Sequence, residues 1–231
     1  HQTALYIRKL IREEGLTYRD IAVVIGDLEG YASYVETEFG QLEIPCFLDR
    51  TRGIVLNPMI EYIKSALQLY IRDFSYDTVF HFLRSGMADI SREEIDELEN
   101  YVIRTGARGY RTYSRLFTRK TEEMQQGSGQ EDTERAEETM ERLNRIRQQF
   151  TDTVEILHMA PRAKAGEYVD HLYDFLEQNQ VQQKLLNYQQ RFEQEGDLAK
   201  AREYAQIYRL VMDLLDQIYE LLGEEEISLQ E

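Results

Sequence analysis

Cysteine is almost missing from this chain: one of 231 residues, Cys46. That excludes an internal disulfide and any CxxC zinc or iron–sulfur framework. A lone cysteine fits a reducing compartment, and we expect a cytoplasmic protein. Long apolar runs are missing too; none approaches the ~18 residues of a membrane-spanning helix, so no membrane partner is expected. Positive charge is scarce, with 27 Lys and Arg against 43 Asp and Glu, a net charge of −16. Such a chain repels a nucleic-acid polyanion at long range. Salt screens that repulsion beyond ~8–10 Å, so a local basic island can still touch phosphate. Neither GxxxxGK[ST] nor GxGxxG is present; "GYASYVETEFG" and "GSGQ" lack the lysine and the preceding strand of a phosphate cradle. Nucleophile chemistry has little to draw on. Cys46 follows Pro45 in a run that reads as a buried strand, where a packed core cysteine is the simpler reading. Among the four histidines, "DHLYD", Asp170 to Asp174, places His171 and Asp174 at i, i+3 on one helix face; a metal ligand pair and a solvated helix face compete there. "GEEEIS" reads as solvated charge.

What the chain does have is helical periodicity. Residues 3–14 place Leu5, Ile7, Leu10 and Ile11 near one face, with Gly15 as the stop. "IAVVIG", residues 21–26, is β-branched without polar interruption, the pattern of a strand covered on both faces. Tyr31–Phe39 reads as a helix closed by Gly40, and Ile44–Leu48 as a second strand. Two parallel strands around a helix make a small α/β unit. From about residue 55 the pattern is helix. Asn57 and Pro58 start one helix, Ser75 another, and the capping box Ser91–Glu94 a third. "EEMQQGSGQEDTE", residues 122–134, reads as an exposed, mobile loop. Met140, Leu143, Ile146, Phe150, Val154 and Leu157 then form an apolar stripe that Pro161 ends. Tyr168–Gln178 and Val181–Glu195 make a pair. Asp197 caps a last helix with Leu198, Ala201, Ala205, Tyr208, Met212, Leu215, Ile218 and Leu222 on one face. Ser228 stands where a further N-cap belongs. The fold class expected is mainly α: residues 1–54 a partial α/β segment, residues 55–231 a helical domain.

One stretch departs from the charge of the whole. "YVIRTGARGYRTYSRLFTRK", residues 101–120, carries Arg104, Arg108, Arg111, Arg115, Arg119 and Lys120 and no acid, with Tyr110, Tyr113 and Phe117 between them. If the segment is helical, Arg111, Arg115 and Arg119 form one i, i+4 ridge. A basic ridge with aromatics suits a nucleic-acid backbone. The competing reading is that these arginines pair with the surrounding Glu-rich helices. Arg50 and Arg52 in "LDRTRG" make a weaker basic spot, best read as a turn.

The run "REEGLTYRDIAVVIGD", then "YASYVETEFGQLEIPCFLD", then "LNPMIEYIKSALQL" resembles domain 2A of superfamily 1 helicases of the UvrD/Rep type, leading into the inserted 2B domain. The wording of "FSYDTVFHFLRSG" and "EYAQIYRLVMDLLDQIYELLGEEEISL" is similar to AddB, the nuclease-bearing subunit of the bacterial AddAB helicase–nuclease. The resemblance implies a helical 2B-like insert attached to a 2A remnant whose remaining strands lie elsewhere. It implies a parent subunit that processes DNA double-strand breaks for recombinational repair, alongside an AddA-type helicase subunit. It also implies that ATP-binding motifs, an iron–sulfur cluster and nuclease Mg belong to other parts of that parent. This chain is then expected to be non-catalytic, with no cofactor of its own. The alternative is a helical protein-interaction scaffold that docks partner subunits without touching DNA; a stand-alone enzyme would have only "DHLYD" to rest on.

Overall fold

The computed structural model describes residues 1–48, 57–126 and 129–231. The chain divides into two compact units, His1–Gly53 and Ile54–Glu231.

In the first unit, α1 (Gln2–Glu14) stops at Gly15, whose φ of 69° needs no Cβ to accommodate it. After a 3₁₀ turn at Tyr18–Asp20, α2 (Leu28–Gln41) starts on Asp27, which accepts from the Gly30 N–H at 3.0 Å. Ala4, Ile7, Phe39 and Ile44 form a small core, with Ile11, Ile21, Val35 and Leu42 against it. The two parallel strands expected at 21–26 and 44–48 do not form. A strand satisfies its N–H and C=O groups only through a neighbour, and two short strands alone are marginal. Several of their apolar side chains stay exposed, Val24 at 95% and Phe47 at 76%, while Ile44 joins the small core and Ile21 packs against it. Cys46 is exposed as well, not a core residue.

The second unit is helical, as its periodicity predicts. Asn57 caps α3 (Pro58–Ile71) by accepting from the Met59 N–H at 3.0 Å, and its amide donates to Glu203 at 2.8 Å. The helices α4 (Tyr76–Leu83) and α5 (Arg92–Thr105) follow, the latter opened by the Ser91–Glu94 capping box. Then come α6 (Tyr110–Tyr113), α7 (Glu122–Gln126) and the long α8 (Gln130–Val154). The polar stretch 122–134 is thus helical over Glu122–Gln126 and again from Gln130, where its composition predicts a loop; residues 127–128 lie outside the described residues. Glu and Gln are good helix formers, which polarity alone does not reveal.

Past a 3₁₀ turn at Glu155–Leu157, the chain forms α9 (Ala165–Gln178), α10 (Val181–Gln194) and α11 (Leu198–Leu222). The only strands among the described residues are β1 (Arg162–Lys164) and β2 (Glu226–Ser228), paired antiparallel with Ala163 opposite Ile227. Ser228 closes a strand where a helix start was expected. The pairing brings the start of α9 against the end of α11. The Gly166 N–H donates to the Gly223 carbonyl at 3.0 Å, and a Cβ on Gly166 would stand 3.1 Å from that oxygen.

The core runs through α3, α4, α5, α8, α9, α10 and α11. The stripe from Met140 to Leu157 is buried throughout. Tyr62 stacks on Phe82 and Phe175, while Phe74, Tyr113 and Phe150 meet at centroid distances of 5.6–5.9 Å. Helix α11 buries Ala201, Tyr204, Ile207, Val211 and Leu215, a face turned about one residue from the expected one; Leu198, Ala205 and Leu222 are exposed. None of the described helices is long and apolar enough to cross a membrane.

Candidate nucleic-acid interface

The basic stretch lies between α5 and α8, and its course is set by two glycines. Gly106 ends α5 at φ 68°, and Gly109 turns the chain into α6 at φ 84°. A side chain is strained at such angles, and a Cβ at Gly109 would also meet Asp73 Oδ2 at 3.2 Å. Asp73 fixes the turn by accepting the Tyr110 N–H at 2.9 Å. Only Tyr110–Tyr113 is then helical, so the ridge of Arg111, Arg115 and Arg119 expected from i, i+4 spacing does not exist. Residues 116–121 follow an irregular path.

That path is held from beneath. Asn144, on α8, clamps the backbone of Phe117 from both sides: its Oδ1 accepts the N–H at 2.7 Å and its Nδ2 donates to the carbonyl at 3.0 Å. One turn on, Arg147 is only 3% exposed; it donates to the Tyr113 carbonyl at 2.7 Å and to Gln148 at 2.8 Å. Burial pushes the Arg147 guanidinium below its ordinary range, and Asp152 partly offsets this. The Tyr101 hydroxyl donates to the Arg119 carbonyl at 3.0 Å. The rings of Tyr113 and Phe117 fill the core beside Phe150.

With the aromatic side chains drawn inward, the cations face outward. Arg104, Arg108, Arg111, Arg115 and Arg119 are exposed and Lys120 is half-buried. Arg104 forms an ion pair with Glu123 on α7. Arg119 donates to the Thr105 carbonyl at 2.8 Å, a cation at the end of α5, where the helix dipole favours it. Among the described residues, Arg108, Arg111, Arg115 and Lys120 form no ion pair. Pairing with acidic helices therefore accounts for one of the six cations. Arg108, Arg111, Arg115 and Arg119 instead line a single cavity of about 570 Å³ with Thr105, Thr112 and Leu116. Turn geometry gathers what helical spacing was expected to align.

Asn144 and Arg147 carry no signal in the sequence that marks them as supports of this loop; Arg147 reads only as the polar neighbour of Ile146. Arg50 and Arg52 lie outside the described residues. In "DHLYD", His171 Nδ1 donates to the Ile156 carbonyl on the 3₁₀ turn. No group of three or more metal-ligating side chains occurs among the described residues.

No family model matches the chain. Over 99% of its length it is 39% identical to the B subunit of the ATP-dependent helicase/deoxyribonuclease of Clostridium botulinum strain Langeland, covering 20% of that protein. The B subunit of the Acetivibrio thermocellus enzyme is 36% identical over 97% of the chain, again with 20% of the relative covered. That of Caldanaerobacter subterraneus is 34% identical over the whole chain, with 20% covered. The chain thus spans about a fifth of the length of the curated relatives it matches. Its similarity to each runs along nearly the whole of this chain.

Proposed function

We propose that this chain is a non-catalytic part of an AddB-type subunit of an ATP-dependent helicase–nuclease, and that it contacts DNA through the island at Arg104, Arg108, Arg111, Arg115, Arg119 and Lys120. The observation that carries this reading is the 39% identity along 99% of the chain. Residues 55–231 are the helical 2B-like insert, and residues 1–54 belong to a 2A-like α/β domain. The exposure of Val23 and Val24 supports that division. Apolar runs of strand character left in water are what a sheet completed by other strands of a longer subunit requires. The parent acts in the cytoplasm on DNA double-strand breaks for recombinational repair, with an AddA-type subunit as partner.

An iron–sulfur cluster and nuclease Mg, if the parent holds them, are bound by other residues. A single cysteine cannot supply a four-thiolate set for the cluster. No step of ATP hydrolysis or strand cleavage is assigned to any residue here.

The test is direct. Purified chain incubated with ATP, Mg²⁺ and linear DNA is expected to release no phosphate and to cut no strand. Reconstituted into a full-length AddB-type protein that carries Arg111→Glu and Arg115→Glu, the same region is expected to weaken DNA binding. Turnover by the chain alone would overturn the non-catalytic assignment.

A further inference from the structure

The arginine cavity says more about its ligand than that it is anionic. We infer, resting on the reading that the chain contacts DNA, that the cavity grips the phosphate backbone of duplex DNA, through Arg108, Arg111 and Arg115, without stacking on bases or reading them. Three observations on the loop lead there.

The first is where the rings are. Single-strand binders combine a basic groove with exposed aromatic faces on which bases stack. Here Tyr101, Tyr113 and Phe117 are 3%, 0% and 5% exposed. Tyr110 lies against His158 at a centroid distance of 4.3 Å and spends its hydroxyl on Glu155 at 2.9 Å. The basic surface has no stacking platform.

The second is the form of the loop. Base edges are read by a helix or ribbon laid in the major groove. The only helix within the island beyond the end of α5 is the four-residue α6, too short to enter a groove and present a row of side chains. Guanidinium groups on a shallow, irregular loop meet phosphates, which position a protein without specifying sequence.

The third is which cations are available. Arg104 is engaged by Glu123 and Arg119 by the Thr105 carbonyl. Lys120 does not line the cavity. Three arginines remain, on a backbone held at Gly109 by the Phe74 carbonyl, at Tyr110 by Asp73, at Tyr113 by Arg147 and at Phe117 by Asn144, so little chain ordering opposes binding. A duplex presents one charge per ~1.7 Å of axis, dense enough for three guanidinium groups to engage together.

The experiment is fluorescence anisotropy of the full 231-residue chain with two unrelated duplexes of about 20 base pairs and one single strand of about 20 nucleotides, from about 50 to 200 mM salt. Three neutralised phosphates give a log–log salt slope of roughly −2.7 on duplex. The two duplexes should bind within about twofold of each other, and the single strand about fivefold or more weaker. Arg111→Glu with Arg115→Glu should weaken duplex binding about tenfold or more, and Arg104→Gln less than about twofold. A single strand bound as tightly as duplex, a slope near −5, or a large loss on Arg104→Gln would overturn this inference and leave DNA contact standing. Duplex binding that is absent, or untouched by Arg111→Glu with Arg115→Glu, would overturn DNA contact itself.

Discussion

Residues 1–48 and residues 57–231 carry apolar runs of similar character and treat them oppositely. "IAVVIG" near the start leaves Val23, Val24 and Ile25 exposed. "VFHFL" in α4 buries Val79, Phe80, Phe82 and Leu83. The difference is one of backbone accounting. A helix closes its own hydrogen bonds, so its apolar face needs only other helices, and the second unit supplies them. A strand closes nothing by itself. Among its described residues the first unit has two α-helices and a core cluster of four apolar residues, and nothing there completes a sheet. Sequence character alone does not bury a residue; a neighbour with the right hydrogen-bonding geometry must be present.

The contrast is most easily broken at its extremes. Phe82→Ala, in the stacked aromatic core, should cost about 3–5 kcal/mol in chemical denaturation. Phe47→Ala, with a largely exposed ring, should change stability by less than about 0.5 kcal/mol. Comparable losses at the two sites would mean that Phe47 is covered in solution.

A second, smaller effect separates packing from polar support within the helical unit. Asn144→Ala removes both bonds to Phe117 and leaves a partly buried N–H and C=O unmatched, for a loss of about 1–3 kcal/mol. Faster amide exchange at residues 113–119, with α8 unchanged, would localise the effect to the loop.

The smallest loss expected within the helical unit is electrostatic. Glu99 is held down to about 2, chiefly by hydrogen bonds from Arg84 and then from Tyr76. A carboxyl lowered in the folded state stabilises above its ordinary range and loses that contribution as pH falls toward about 2. Arg84 is half exposed, which limits the gain to under about 1 kcal/mol. Arg84→Gln should therefore lower Tm slightly at pH 6, and the gap should close as the solution is acidified toward pH 2.

Legibility followed the same physics. The stripe Met140 to Leu157 was readable because one helix face carries nearly all its apolar residues. Helix α11 was readable as a helix but not in its rotation, since Leu210, Leu214 and Leu221 also give it an apolar face on the exposed side. The strands failed because an uninterrupted β-branched run states a preference, and pairing is a tertiary event. At the candidate site the residue types were legible and their arrangement was not. Helical spacing predicted a ridge, whereas Gly106, Gly109 and Asp73 turn the chain, and the supports Asn144 and Arg147 sit more than twenty residues downstream of the loop they hold.

Amide hydrogen exchange of the 231-residue chain, with and without a duplex of about 20 base pairs at low salt, probes the proposed interface most directly. New protection confined to residues 105–119 is the predicted result. No protection in that stretch, or protection that falls instead along α11, would contradict it.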